Sequence, residues 1–160
     1  MKVRELMSTD VKCCPEYSTL NTAAQIMWDN DIGCLPIVDK DGRIVGMLTD
    51  RDICMCAYLQ GVPLTGAGVT QAMSQRVISC RPDDDIAVAE RLMRENQVHR
   101  LPVLDPEGRV VGIISLNDIA REAAREAQSK AARRVTDAEI AQALAAVCAP
   151  RHRIVEARAA

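Results

Sequence analysis

Ser115 and Asp118 stand three residues apart, just after the apolar run Val110 to Ile114 and at a point where the sequence reads as the start of a helix. On a first helical turn that spacing puts a hydroxyl and a carboxylate on the same side, beside backbone N–H groups with no partner inside the helix. A carboxylate accepts hydrogen bonds from neighbouring hydroxyls, a serine hydroxyl donates to an anionic oxygen, and a helix N-terminus favours negative charge. The chemistry such a junction suits is the holding of a sugar and its phosphate. Thr49 and Asp52 repeat the pattern after Ile44 to Leu48.

The elements that must position these pairs are themselves repeated. Sliding Val3 to Cys54 over Val69 to Ala120 without a gap gives 17 identities in 52 positions, among them Met7-Ser8 on Met73-Ser74, Leu35-Pro36 on Leu101-Pro102 and Asp52-Ile53 on Asp118-Ile119. Gly42-Arg43 and Gly108-Arg109 precede equivalent apolar runs, and Asp-Lys-Asp-Gly over 39–42 is a hairpin signal. Each half reads as a short lead-in, an extended piece (Val11 to Cys14, Val77 to Cys80), a helix, two paired strands and a second helix.

The first helix of each half carries an apolar stripe at helical spacing: Leu20, Ala23, Ala24 and Met27, capped by Ser18 or Thr19, then Ile86, Ala89, Leu92 and Met93. Asp83 to Asp85 sit where negative charge favours a helix start, a better reading than a metal site. The predicted strands are 35–38 and 44–48, then 100–105 and 109–114. The division is residues 1–60, a linker at 61–68 with glycines and a proline, residues 69–126, and a helical extension and tail over 127–160. The helix that starts near Leu116 is expected to run to about Arg134. Thr136 to Glu139 has the form of a capping box opening a helix with Ile140, Leu144 and Val147 as its stripe, which must bury on the module's own flank or on a partner. Arg151 to Ala160, with His152, reads as a frayed basic tail.

The chain has 160 residues, 48% of them hydrophobic but only 2% aromatic, so its core must be aliphatic and two halves of some 50 residues are expected to share it. A net charge of −2 argues against nucleic-acid binding. The seven cysteines, at 13, 14, 34, 54, 56, 80 and 148, show no zinc spacing and read as reduced, mostly buried small hydrophobes. No signal peptide or membrane-spanning run is visible, which gives an expectation of a cytoplasmic protein without membrane insertion.

Each half resembles a CBS motif, the family named after cystathionine β-synthase, on the strength of Leu-Pro-(Ile/Val)-(Val/Leu)-Asp, the turn glycine and Gly-x-x-(Ser/Thr)-x-x-Asp recurring in order over roughly residues 3 to 122. The resemblance implies an α/β fold of two β-α-β-β-α repeats packed about a pseudo-twofold axis, with a C-terminal helical extension and two clefts between the repeats. It also implies regulation rather than catalysis. The expected ligand is AMP, ADP or ATP, with no required cofactor and no metal. In similar modules a His-Arg pair before Leu-Pro faces the phosphate, which points to His99 and Arg100, the latter stronger because a guanidinium is bidentate and permanently charged. The resemblance makes Ser115, Asp118, Thr49 and Asp52 nucleotide-binding candidates, with Val11, Val77 and Ile78 as neighbours of the adenine. In the first half Gly33 and Cys34 replace the His-Arg pair and Arg51 is a partial substitute, so the two clefts are expected to bind unequally. A homodimer that signals to a separate, unidentified protein is the leading reading. A ligand-free interaction dimer and a thiol-based redox sensor using Cys13, Cys14, Cys54 or Cys56 are the alternatives.

Overall fold

The computed structural model describes residues 1–127 and 136–149. In the first repeat β1 (Cys14–Pro15) is followed by α1 (Leu20–Asp29), β2 (Cys34–Val38), β3 (Ile44–Thr49) and α2 (Asp50–Gln60). In the second, α3 (Ile86–Asn96), β4 (Arg100–Leu104), β5 (Val110–Ser115) and α4 (Leu116–Ala127) follow in the same order, and α5 (Asp137–Val147) is added behind them. β2 and β3 are antiparallel with β1 parallel on the outer side of β2, while β4 and β5 form the equivalent antiparallel pair. The counterpart of β1 in the second repeat is a single parallel bridge between Cys80 and Val103. Both hairpins turn through a glycine at positive φ, 77° at Gly42 and 84° at Gly108, a conformation that costs glycine little.

The halves are tied by exchange of their lead-ins. Val3 N–H donates to Asp84 O at 2.9 Å and Ile86 N–H to Met1 O at 3.0 Å, while Val69 N–H donates to Ser18 O at 3.0 Å and Leu20 N–H to Ala67 O at 2.8 Å. Val3 is therefore buried in the second repeat's core with Ile86, Met93, Leu101 and Ile114. Val69 and Ala67 complete the first, with Leu20, Leu35, Ile37 and Leu48. The stretch read as a linker thus contributes to a core. Met7 crosses with its lead-in so closely that a Cβ on Gly112 would stand 2.5 Å from its Sδ; Met73 meets Gly46 in the same way. Bridges from Ser8 to Ile113 and Ser74 to Met47 are equivalent under the repeat, and Arg43 pairs with its own counterpart Arg109, which places the pseudo-twofold axis between those two.

Two of the three aspartates before α3 meet the same exchange. Asp85 is the N-cap by position but makes no side-chain cap bond. Asp85 pairs instead with Lys2 at 2.9 Å and Asp83 with Arg4 at 2.5 Å.

The C-terminal helix covers the module's own flank. α5 packs on α3 and α4, with Ala143 and Val147 buried and Ile140 half-buried against the second core. Its start is the expected capping box: Thr136 N–H and Oγ1 each donate to Glu139 Oε2 at 2.8 Å. Leu144, expected in the stripe, is 44% exposed, and Ala143 is the buried residue beside it. Gln97 Nε2 donates to Ala149 O at 3.2 Å and so fastens the helix end. The expected continuation of α4 to Arg134 and the basic tail with His152 lie outside the described residues.

Glu90 on α3 is a buried charged side chain beside this helix. Glu90 is 7% exposed, its Oε1 has no hydrogen-bond partner, and burial together with the nearby Glu139 charge raises its carboxyl above the usual range, only partly offset by Arg94. The folded state holds this proton more tightly than the unfolded chain. Stability is accordingly lost as pH rises from the ordinary carboxylate value through the folded one. Glu90→Gln should raise the melting temperature at pH 7, with the gain disappearing near about pH 4; a pH-independent effect in calorimetry would refute the assignment.

Candidate functional site

A cleft of about 220 Å³ opens between the repeats. The first repeat supplies Ser8, Asp10, Val11 and Lys12 from the segment that leaves the exchanged lead-in, Asp31 and Ile32 from the turn after α1, and Cys34 and Pro36 from β2. The second supplies Arg100, Ile113, Ser115 and Asp118. Of the residues singled out in the sequence, Val11, Arg100, Ser115 and Asp118 are brought together here.

The Ser115–Asp118 pair is a reciprocal cap at the start of α4. Ser115 N–H and Oγ donate to Asp118 Oδ2 at 2.8 and 2.6 Å, and Asp118 N–H donates back to Ser115 Oγ at 3.2 Å. Arg121, one turn on, donates to Asp118 Oδ1. The carboxylate is thereby held in one orientation, its side chain 12% exposed, facing the cleft with lone-pair capacity left over. Arg100 lies directly opposite Ser115 in the β4–β5 register, so a guanidinium, a hydroxyl and a helix N-terminus converge on one spot.

Thr49 and Asp52 build the same cap on α2: Thr49 N–H and Oγ1 donate to Asp52 Oδ2 at 3.0 and 2.7 Å. Neither lines the cleft just described. The residue opposite Thr49 is Cys34, a thiol where the second repeat has a guanidinium. Arg51 is exposed at the same helix start, its N–H donating to Asp50 Oδ1 at 2.7 Å. Val77 and Ile78 correspond in the repeat to Val11 and Lys12, and Ile78 rests against the second core. His99 does not line the cleft; its carbonyl accepts the Leu116 N–H at 2.9 Å.

Arg100 and Cys34 occupy equivalent places, and they touch. Burial pushes the Cys34 thiol up while its hydrogen bond and charge contact with Arg100 pull it down and the Asp50 charge adds to the rise. Burial also raises Cys13 and Cys14, and Cys80 is pushed up to about 12 by burial and by Asp84. These thiols are protonated at neutral pH, which leaves little nucleophilic thiolate. Among the described residues no cluster of three or more potential ligands could hold a metal ion, and no helix is long and apolar enough to cross a membrane.

Asp10, Lys12, Asp31 and Cys34 were not singled out in the sequence as cleft residues. Their own repeat presents them to the other repeat's helix start, and no local periodicity carries that information.

The CBS domain family model matches residues 3–57 and again 69–125. The chain belongs to the CBS-domain family. Hypoxic response protein 1 of Mycobacterium tuberculosis is 35% identical to it over 147 residues, covering 92% of this chain and 94% of that one. A crystal structure of that protein with two coordinated zinc ions superposes with a TM-score of 0.69 at 38% identity, covering 76% and 98%. The CBS domain pair of protein MJ0100, in complex with 5′-methylthioadenosine and S-adenosyl-L-methionine, superposes with a TM-score of 0.71 at 28% identity, covering 79% and 98%. A homoserine O-acetyltransferase of Methanosalsum zhilinae is 36% identical over 117 residues, 73% of this CBS chain but 23% of the enzyme. The CBS pair is thus shared by small proteins and by one segment of larger ones.

Proposed function

We propose that this CBS pair is a regulatory module that binds an adenosine ligand between its repeats and passes the resulting change to a separate protein. The observation that carries this reading is the convergence of Asp118, Ser115 and Arg100 at the start of α4. Asp118 would accept the ribose hydroxyls, while Ser115, Arg100 and the helix N-terminus would receive a phosphate. The binding of adenosyl compounds by the MJ0100 pair supports it. Val11, which lines the cleft, would neighbour the base. His99 is an outer contributor in this reading, and Thr49, Asp52, Arg51, Val77 and Ile78 would serve a second, weaker cleft related by the pseudo-twofold axis. Signalling then requires that the ligand bind two arrangements of the module unequally. Calorimetric titration with AMP, ADP, ATP, 5′-methylthioadenosine and S-adenosylmethionine tests the reading, and absence of heat with all five would end it.

The module would act in the cytoplasm as a homodimer. α5 packs on α3 and α4, and in the other repeat α1 and α2 expose Trp28 at 84%, Tyr58 at 79% and Leu59 at 74%. A second copy meeting these side chains with its own would bury them. Sedimentation velocity should give a dimer that Trp28→Asp with Tyr58→Asp turns into a ligand-binding monomer. A monomeric parent protein would refute the interface.

A further inference from the structure

The charges of the cleft limit which adenosine ligand it can take. Lys12 is engaged by Asp10 at 2.7 Å and Asp118 by Arg121, so each of these pairs is neutral. Arg100 remains as a cation with no carboxylate partner among the described residues, and it contacts the Cys34 thiol. Asp31 remains as an anion with no ion pair among the described residues; it lies just beyond α1 with φ 52°, exposed, among the residues that line the cleft. One free cation and one free anion therefore face the ligand.

From this balance we infer that the cleft accepts an adenosyl ligand bearing no more than one phosphate group, and that Asp31 is the residue that discriminates against polyphosphates. The inference rests on the adenosine reading above and narrows it. A phosphate monoester carries about −1.5 to −2 charge at neutral pH, a load one guanidinium and a helix N-terminus can meet. Each further phosphate adds negative charge with no remaining cation to receive it and with Asp31 in the same half-enclosed space. The volume of about 220 Å³ points the same way, being smaller than the roughly 300–1,000 Å³ of sites for drug-sized ligands. The equivalent residue in the second repeat, Gln97, is uncharged and is used to fasten α5, so the carboxylate at 31 has no structural counterpart.

Titration of the full chain at low salt, without divalent metal, separates the possibilities. AMP should bind on the order of tenfold or more tightly than ATP, with 5′-methylthioadenosine and S-adenosylmethionine binding as well or better than ATP. Asp31→Asn, which keeps the side-chain shape and tolerates positive φ, should narrow the AMP-to-ATP ratio severalfold, and higher salt should narrow it in the parent protein. Arg100→Ala should weaken AMP while leaving 5′-methylthioadenosine little changed. ATP binding as tightly as AMP would overturn the phosphate limit, and an unchanged ratio in Asp31→Asn would overturn the role of Asp31. Binding by none of the ligands would instead bring down the adenosine reading on which both stand.

Discussion

Asp118→Ala should abolish the thermal stabilisation that AMP gives the parent protein. At ligand near 100 times its dissociation constant, binding to the folded state alone adds about 2.7 kcal/mol, or roughly 5–11 °C in melting temperature for a chain of this size. Asp118 would be the acceptor for the ribose, and its carboxylate also holds Ser115 in place through Oδ2. Its removal therefore costs the ligand two contacts together. The substitution also deletes a helix cap, at about 1 kcal/mol, which lowers the starting melting temperature by a few degrees. The readout is consequently the shift between free and AMP-bound protein, not the absolute value. Asp52→Ala deletes the equivalent cap on α2 and provides the matched control: a similar drop in the free protein with most of the AMP shift retained. If both variants kept the shift, the ribose would lie elsewhere; if both lost it equally, the two clefts would be equivalent.

A larger loss is expected from a residue far from the cleft in function and near the start of the chain. Val3→Asp should lower stability by about 3–5 kcal/mol, the scale of an unpaired charge in a packed interior, and the melting temperature by roughly 6–20 °C. Val3 is fully buried among Ile86, Met93, Leu101 and Ile114, all from the second repeat. Hydrogen exchange should therefore quicken first over α3, β4 and β5 rather than over the neighbouring residues 14–38. Val3→Ala, at about 2 kcal/mol for two lost methyl groups and the space they leave, gives the same pattern in milder form should the charged variant fail to fold. Faster exchange confined to β1 and β2 would contradict the exchanged lead-in.

The contrast between these two sites shows what the sequence makes legible. Hairpins, helix starts and caps are written in neighbouring residues: Thr136 with Glu139 forms the capping box that its spacing predicts, and Thr49 with Asp52 and Ser115 with Asp118, read as ligand groups at helix starts, cap those helices as well. The family resemblance that the repeat carries implies the pseudo-twofold arrangement. Contacts between the halves are not written locally. Nothing around Asp83 to Asp85 says that Lys2 and Arg4 will claim them, and nothing around Asp31 or Lys12 says that they will face Asp118 across a cleft. Leu144 fits the helical stripe, yet Ala143 is buried and Leu144 is 44% exposed, because periodicity does not encode where the facing helices stand.

The crossing of Val3 and Val69 also bears on how such a chain can have arisen. A single repeat folded alone would have its own lead-in pointing away from its core and an empty place where a foreign one belongs. Two identical single-repeat chains related by a twofold axis satisfy both needs at once, each lending the other its first turn. The described molecule has that arithmetic, with the two lenders joined through residues 61–68. Joining them leaves the exchange intact but frees the copies to diverge, as Arg100 and Cys34, touching at equivalent places, already have. One ancestral position thereby becomes two, and a symmetric pair of pockets can become an unequal one without any change of fold.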